Sequence, residues 1–530
     1  MANPSSLVAE IGNEMFAFLA RTYPISCASD EFYYFPQFRF PSPQWEAWDK
    51  FSAESVAESA HLLSAWEHKL DNLTSGHPDL QEQIDIRLLK KYARTLQEQL
   101  LEVRSWESQP SFYLTLAGIG LAEAMESEDP AARHQRARTL PLFLDQAGRN
   151  LTKIPVLFRD IGLEMLKDTR DYFSLLGRTI PEMPSALDAL DRFEDSLRRV
   201  DTREGFQLLP DSLERVIDVH IGSGLDIPAI QGELDVEIEE VREVLDREAR
   251  QYETVTFENK SARRTWLDAY NSIPGPSVDK DSVISIFSNE VNRIAAHCLH
   301  HGLVKQSLLS SCPVSVEPMP DFLSAIRVGA SYSIPPKYPP QGGKFYLYTR
   351  HITGKLTPGS LREYRMTCAH EAYPGHHLLD ASRWSMDRPL RRPMEQPIFY
   401  EGWACFAEEL MRLTGYFTGE ADGLILARRR FSHAIRSKVD LGLQTGTMDL
   451  STAAGYLEQV GINRERARLM ARKYTLNPGY QLCYTLGLRR FLDLFHRYGQ
   501  SDLSAFVHTV LGQGEINFSD LEKVLRLHDN

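Results

Sequence analysis

A chain of 530 residues with 42% hydrophobic and 25% charged content has the make-up of a folded globular protein with a sizeable core, which excludes a disordered or fibrous chain. Its net charge of −13 argues against nucleic acid or an anionic membrane surface as the main partner. Cysteines 27, 298, 312, 368, 405 and 483 show no C-x-x-C pair, no apolar run reaches the length of a membrane helix, and Glu10 and Glu14 interrupt the first apolar stretch; the expectation is reduced thiols in a soluble, cytoplasmic protein.

The chain opens with a helix and passes into an irregular aromatic segment, EFYYFPQFRFPSPQW, expected to wrap over the body. From Ala53 to about Trp106 the spacing is helical, with Leu89, Tyr92, Leu96, Leu100 and Val103 on one face. Further helices are expected over 111–127, 130–149, 154–177, 184–200, 211–221 and 227–253, the last with Asp226 as N-cap and Pro228 in its first turn. Period-two alternation is almost absent so far, so the first half reads as helical. Pro274-Gly275-Pro276 is the best boundary, dividing an N-terminal helical region, 1–275, from a C-terminal region, 276–530. A helix over 279–303 carries His297, His300 and His301, but no carboxylate accompanies them at ligand spacing. Residues 322–350 are the one β-like region: strands are expected at 325–328, 330–334 and 344–348, forming a small sheet able to hold an extended peptide at an edge.

The chemistry concentrates in 357–413. Thr357-Pro358-Gly359 reads as a turn, and Ser360 with Glu363 as a capping box opening a helix that delivers His370 and Glu371 side by side. An imidazole to hold zinc beside a carboxylate to take a proton is what metal-activated water requires. The usual spacing is H-E-x-x-H, whereas His370-Glu371-Ala372-Tyr373-Pro374-Gly375-His376-His377 has two residues more. On an unbroken helix His377, and not His376, would return to the His370 face, within about 20°. Pro374 forbids an unbroken helix, because it lacks an N–H and its ring meets the carbonyl of His370. Gly375 frees the backbone to turn, so the two residues read as a bulge and His376 is preferred over His377 as second ligand. Glu401, on a helix whose other face carries Trp403, Phe406, Leu410 and Leu413, is the expected third ligand. Isolated histidines are more often structural than ligating; it is the two blocks together that argue for a site.

Those blocks, HEAYPGHHLL and FYEGWACFAEEL, resemble the signature of the domain-of-unknown-function family 885, itself similar to zinc metallopeptidases of the gluzincin type. Two more blocks continue the resemblance, Arg436-Ser437-Lys438-Val439-Asp440 and Pro478-Gly479-Tyr480-Gln481-Leu482-Cys483-Tyr484-Thr485-Leu486-Gly487. Gln444 stands where that family often has His, and Tyr480 where it has Gln. The resemblance implies a mainly α fold: a large helical body forming a deep cleft, with a small β-sheet next to the zinc-binding helices. It implies Zn2+ on His370, His376 and Glu401, Glu371 as general base, and Tyr484 as a donor to the oxyanion. Tyr346, Arg436 and Tyr480 are the candidate substrate contacts. Arginines 428–430 and 436 offer a cation for a substrate's terminal carboxylate, with pairing to neighbouring acids as the plain alternative. The expected function is hydrolysis of short peptides or small amides, with no nucleic-acid or membrane partner. The rivals are metal-dependent cleavage or elimination on a non-peptide small molecule, and a non-catalytic binding protein on the same scaffold.

Overall fold

The computed structural model describes residues 4–74, 79–256, 265–276, 279–320, 330–349 and 361–528. The fold is mainly α, with one two-stranded and one three-stranded sheet among these residues. The chain forms two compact units: Met1–His220 with Met319–Val328 and Arg388–Glu395, and Ile221–Pro318 with Gly329–Asp387 and Gln396–Asn530. The Pro274-Gly275-Pro276 stretch thus lies inside the second unit.

In the first unit long helices run over Pro4–Thr22, Ala53–Thr74, Leu80–Glu98, Pro110–Glu126, Ala132–Asn150, Val156–Leu176 and Met183–Arg199. Pro110–Glu126 is apolar on nearly every face and is buried accordingly. The aromatic segment makes no helix: Phe32, Tyr33, Tyr34, Phe35 and Trp45 are all buried, and Phe32 meets Phe112 edge-on with ring centroids 5.3 Å apart. Rather than covering the core it forms part of it. The returning stretch 388–395 is held by Arg391, only 1% exposed, which donates to Asp85 at 2.5 Å, while Gln37 pairs with Glu395 at 2.9 Å.

In the second unit, α1 (Ile227–Thr256) starts where Asp226 accepts from the Ala229 amide at 2.8 Å, the cap expected from the sequence. After α2 (Val283–His300) come strands β1 (Val314–Pro318), β2 (Ala330–Ser333) and β3 (Gly343–Leu347). Their order is β1-β3-β2, with β1 parallel and β2 antiparallel to β3. The expected strand at 325–328 lies outside the described residues, and β1 went unforeseen because V-S-V-E-P is too short to stand out. Helices α3 (Tyr364–Glu371), α4 (His376–Ser385), α5 (Pro397–Leu413), α6 (Asp422–Gln444) and α7 (Leu482–Tyr498) carry the candidate chemistry. Two terminal helices, Leu503–Gln513 and Phe518–His528, follow as the sequence suggests.

Two local expectations change. Ser360 lies outside the described residues, and Glu363 precedes α3 instead of sitting at its third position; its carboxylate is taken by Arg428, Arg429 and Tyr270. Leu413 is 40% exposed, because α5 ends there and its last turn leaves the core.

Candidate metal centre

The site begins with a break. Helix α3 stops at Glu371 and α4 starts at His376, so Pro374 never needs the helical bond it lacks the N–H to make. The Gly375 amide donates to Ala369 O at 3.0 Å and the Leu378 amide to Ala372 O at 3.3 Å, each reaching back six residues where a helix reaches four. Two residues are therefore looped out and the ladder resumes in register. A Cβ on Gly375 would lie 1.8 Å from the carbonyl oxygen of His370, so only glycine fits. The consequence is geometric: His376 is brought beside His370, with ring centroids 4.8 Å apart, and joins it in a group that could hold a metal ion.

Helix α5 brings the carboxylate. Glu401 Oε2 stands 3.7 Å from His370 Nε2 and 3.5 Å from His376 Nε2. The three ligand atoms lie within 4.8 Å of one another, and all three side chains are buried. Among the described residues Glu401 Oε2 has no hydrogen-bond partner, and neither has His376 Nδ1. A buried carboxylate oxygen facing two imidazole nitrogens without a donor is a costly arrangement in itself. The other oxygen, Oε1, accepts from the hydroxyls of both Tyr480 and Tyr484, each at 2.7 Å. Burial opposes a charge on Glu401, yet His370 and His376 hold its carboxyl well below the usual range. The donor set, two imidazole nitrogens and one carboxylate oxygen, is that of a divalent transition metal with open positions.

Two glycines make this approach possible. A Cβ on Gly402 would come within 2.5 Å of the Gly487 Cα, and one on Gly487 within 2.2 Å of the Ile398 carbonyl oxygen. Backbones of α5 and α7 therefore touch at that level. Glu401 and Tyr484, one residue and three residues from the contact, face each other as a result.

Outside the ligands lies a buried chain of charge. His370 Nδ1 is 3.0 Å from Glu408 Oε1, which fixes the ring so that Nε2 faces Glu401. Arg429 donates to both Glu408 oxygens at 2.6 Å and to Glu363 Oε2 at 3.1 Å, and Arg428 donates to Glu363 Oε1 at 2.9 Å. Burial disfavours the Glu363 carboxylate, but Arg428 and Arg429 hold its pKa down to about 2. His376 stacks on Tyr400, with centroids 4.0 Å apart.

His377 faces the sheet. Its Nδ1 is 2.9 Å from the Tyr332 hydroxyl and its Nε2 2.9 Å from Cys312 O, and burial pushes its pKa down to about 4, as suits a neutral structural ring. Glu371 is half-buried beside His370, and no hydrogen bond or ion pair among the described residues engages its carboxylate. Tyr346 is buried on the central strand β3, away from either sheet edge. Arg436 does not pair with Asp440: its Nε and Nη2 donate to Gln481 Oε1 at 3.0 and 2.6 Å, and its guanidinium lies 4.6 Å from the Tyr484 ring centre. Asp440 instead accepts from the amides of Gly479 and Gln481, at 3.3 and 2.9 Å, which flank Tyr480. Arg428 and Arg429 are spent on Glu363 and Glu408, and Arg430 on Glu237 at 2.5 Å. His297 bonds to Thr414 at 2.9 Å as a structural histidine. The residue that sequence reasoning passed over is Glu408; its seven-residue spacing from Glu401, two turns along one face of α5, was the available signal.

No curated protein matches the sequence. Among solved structures, a chain from Colwellia psychrerythraea provisionally assigned as a lipoprotein is 15% identical, covers 100% of both chains and has a TM-score of 0.80. Another from Shewanella oneidensis, provisionally assigned as a lipoprotein of unknown function, is 16% identical over 98% of this chain and 99% of that one, with a TM-score of 0.77. At such identities these likenesses show the shared fold. A Pyrococcus furiosus carboxypeptidase, 10% identical over 99% of this chain and 91% of that one, has a TM-score of 0.43, too distant to bear on fold or function. The expectation of a cytoplasmic protein does not stand, since both full-length likenesses are to chains assigned as lipoproteins. The thiols misled because all six cysteines are free and buried, shielded by the fold in any compartment. Among the described residues no helix is long and apolar enough to cross a membrane. The description "Bacterial protein of unknown function (DUF885)" matches residues 186–525, well over half of the sequence and all of the candidate metal centre, and the chain belongs to that family.

Proposed function

We propose that the protein is a zinc-dependent hydrolase of short peptides or small amides, with His370, His376 and Glu401 as ligands. The observation that carries this reading is the convergence of three buried candidate ligand atoms within 4.8 Å of one another, with no hydrogen-bond partner for Glu401 Oε2 among the described residues. A divalent cation held there supplies a Lewis acid for a carbonyl oxygen and lowers the pKa of coordinated water. The chain's own groups do the rest. Glu371, adjacent in sequence to His370 and without a hydrogen bond among the described residues, accepts the proton of the attacking water and passes it to the leaving amine. Glu408 keeps the His370 proton on Nδ1 and leaves Nε2 as an acceptor. Tyr480 and Tyr484 commit their protons to Glu401 Oε1, which aims Oε2 inward; a donation from Tyr484 to an oxyanion requires it to leave that carboxylate.

The test joins metal content to turnover. Protein reconstituted with zinc and freed of excess metal should retain about one ion per chain by elemental analysis, as a single three-ligand site implies. Glu371→Gln should retain the ion and lose roughly 10²–10⁴-fold in the rate of release of products from a mixed short-peptide library. Turnover near wild type in metal-loaded Glu371→Gln would remove the proposed proton transfer.

A further inference from the structure

We propose that Arg436 is the receptor for a free carboxylate on the substrate, so that the hydrolase reading above, on which this depends, narrows to acyl-amino acids and peptides carrying a carboxylate close to the bond that is cleaved. The argument begins with what the other cations are doing. Arg428 and Arg429 share Glu363 and Glu408, and Arg430 shares Glu237 with Arg489; each is neutralised inside the fold. Arg436 is different. Its recorded acceptor is a neutral amide oxygen, Gln481 Oε1, and it lies against the faces of Tyr484 at 4.6 Å and Tyr474 at 5.9 Å. No carboxylate among the described residues lies within ion-pair distance of it.

The nearest acid along the helix is Asp440, and it is engaged elsewhere. Its oxygens face the Gly479 and Gln481 amides, and burial pushes its carboxyl up to about 7, which makes it a poor counter-ion. A guanidinium in low-dielectric surroundings without a counter-ion is unfavourable, and an anionic group that docks on it gains a charge-assisted bond. Access and position both fit. Arg436 is half-buried, as are Arg428, Arg429 and Arg430, so part of each is reachable; of the four, Arg436 is the one with no carboxylate partner among the described residues. The Tyr484 ring on which it lies carries the hydroxyl that bonds Glu401 Oε1 at 2.7 Å, so the cation stands one aromatic side chain from the ligand carboxylate. Gln481 occupies Nε and Nη2, leaving the Nη1 edge to a substrate oxygen. The Arg428–Glu363–Arg429–Glu408 set is neutral within itself, whereas the carboxylate that acts on Arg436 is Glu401, across the Tyr484 ring and not in an ion pair with it.

Equilibrium binding separates this inference from the hydrolase reading. Zinc-loaded wild type and Arg436→Gln would be titrated calorimetrically with tri-alanine and with tri-alanine amide, which differ in the terminal charge alone, in the inactive Glu371→Gln background. Wild-type binding should favour the free acid by about 10- to 150-fold, the worth of a hydrogen bond to a charged group. Arg436→Gln should lose that preference while binding the amide as before. Arg436→Lys, which keeps the charge without the fork, should keep part of it. Unchanged zinc content and melting temperature in each variant exclude collapse of the site as the cause. Equal binding of acid and amide by wild type, equal losses for both in Arg436→Gln, or no binding of either peptide at millimolar concentration would each overturn the proposal. Turnover of the library together with equal binding leaves the hydrolase standing without a carboxylate receptor. A preference for the acid without any turnover leaves the receptor standing and removes the hydrolase.

Discussion

Two adjacent histidines, nearly equal in burial, are given opposite work by the looped-out residues, and exchanging each for alanine should produce opposite results in two assays. His377→Ala removes the ring between Tyr332 OH and Cys312 O, both at 2.9 Å and both deep in the second unit. Leaving a buried donor or acceptor unsatisfied costs about 1–3 kcal/mol each, so the two together amount to about 2–6 kcal/mol. The proposed zinc ligands are untouched, and the metal should stay near one ion per chain under conditions where the variant is folded. His376→Ala removes a ligand, and its metal should be lost on dialysis against a weak chelator. Its metal-free form gives up the stack on Tyr400, at 4.0 Å and worth about 0.5–1.5 kcal/mol, and the imidazole facing Glu401 at 3.5 Å, while it sheds an Nδ1 that has no partner among the described residues. Elemental analysis and thermal unfolding of the metal-free proteins therefore read crossed outcomes. A folded His377→Ala without metal, or a His376→Ala that retains it, would refute the assignment and the bulge that underlies it.

Further expectations attach to the residues behind the ligands. Glu408→Gln should keep the fold and weaken zinc binding about 10- to 100-fold in a competition titration, because the His370 ring loses its anionic anchor. Gly487→Ala should uncouple α5 from α7, since its Cβ falls 2.2 Å from a backbone oxygen; loss of zinc should accompany a lowered melting temperature. Burial raises Asp440 to about 7 from 3.8. The unfolded carboxyl then loses its proton first, so the folded state binds more protons between those values. Stability falls as pH rises from about 4 to about 7 and levels off above, a cost on the order of 4 kcal/mol. Asp440→Asn should flatten that limb in a series of denaturant titrations against pH, and an unchanged slope would count against the buried, protonated Asp440.

Much of the site could be read from local rules. Proline at 374 removes a helical donor and glycine at 375 allows the tight turn, so the interruption after Glu371, which brings His376 beside His370, follows from chemistry within a few residues. Helix limits such as Asp226 before Ile227 are similarly local. What escaped depends on tertiary neighbours. The partner of His370 is on another helix, and the spacing of Glu408 from Glu401 places it on the same face without saying which side chain it meets. Arg428, Arg429 and Arg430 look like a solvated basic run, yet each meets a carboxylate from a distant segment. The direction of the Tyr480 and Tyr484 hydroxyls is set by the Gly402–Gly487 contact, which joins segments 85 positions apart in the chain. The strand β1 needs β3 beside it before five residues become a strand. The aromatic segment 31–45 read as a covering because its irregularity was visible and its burial was not.

The two residues that depart from the H-E-x-x-H spacing also fasten the centre together. The carbonyl of Pro374, pushed out of the helical ladder, accepts from the Trp403 indole at 2.8 Å. Trp403 is fully buried and sits two positions after Glu401. A backbone group just before one ligand is thereby tied to a rigid side chain just after another, across two helices that a regular motif leaves to packing alone. The separation of imidazole and carboxylate is then a property of the polypeptide before any ion arrives. Ion capture needs little ordering of these helices, and amide hydrogen exchange across Ala369–Leu379 should be nearly the same with and without metal.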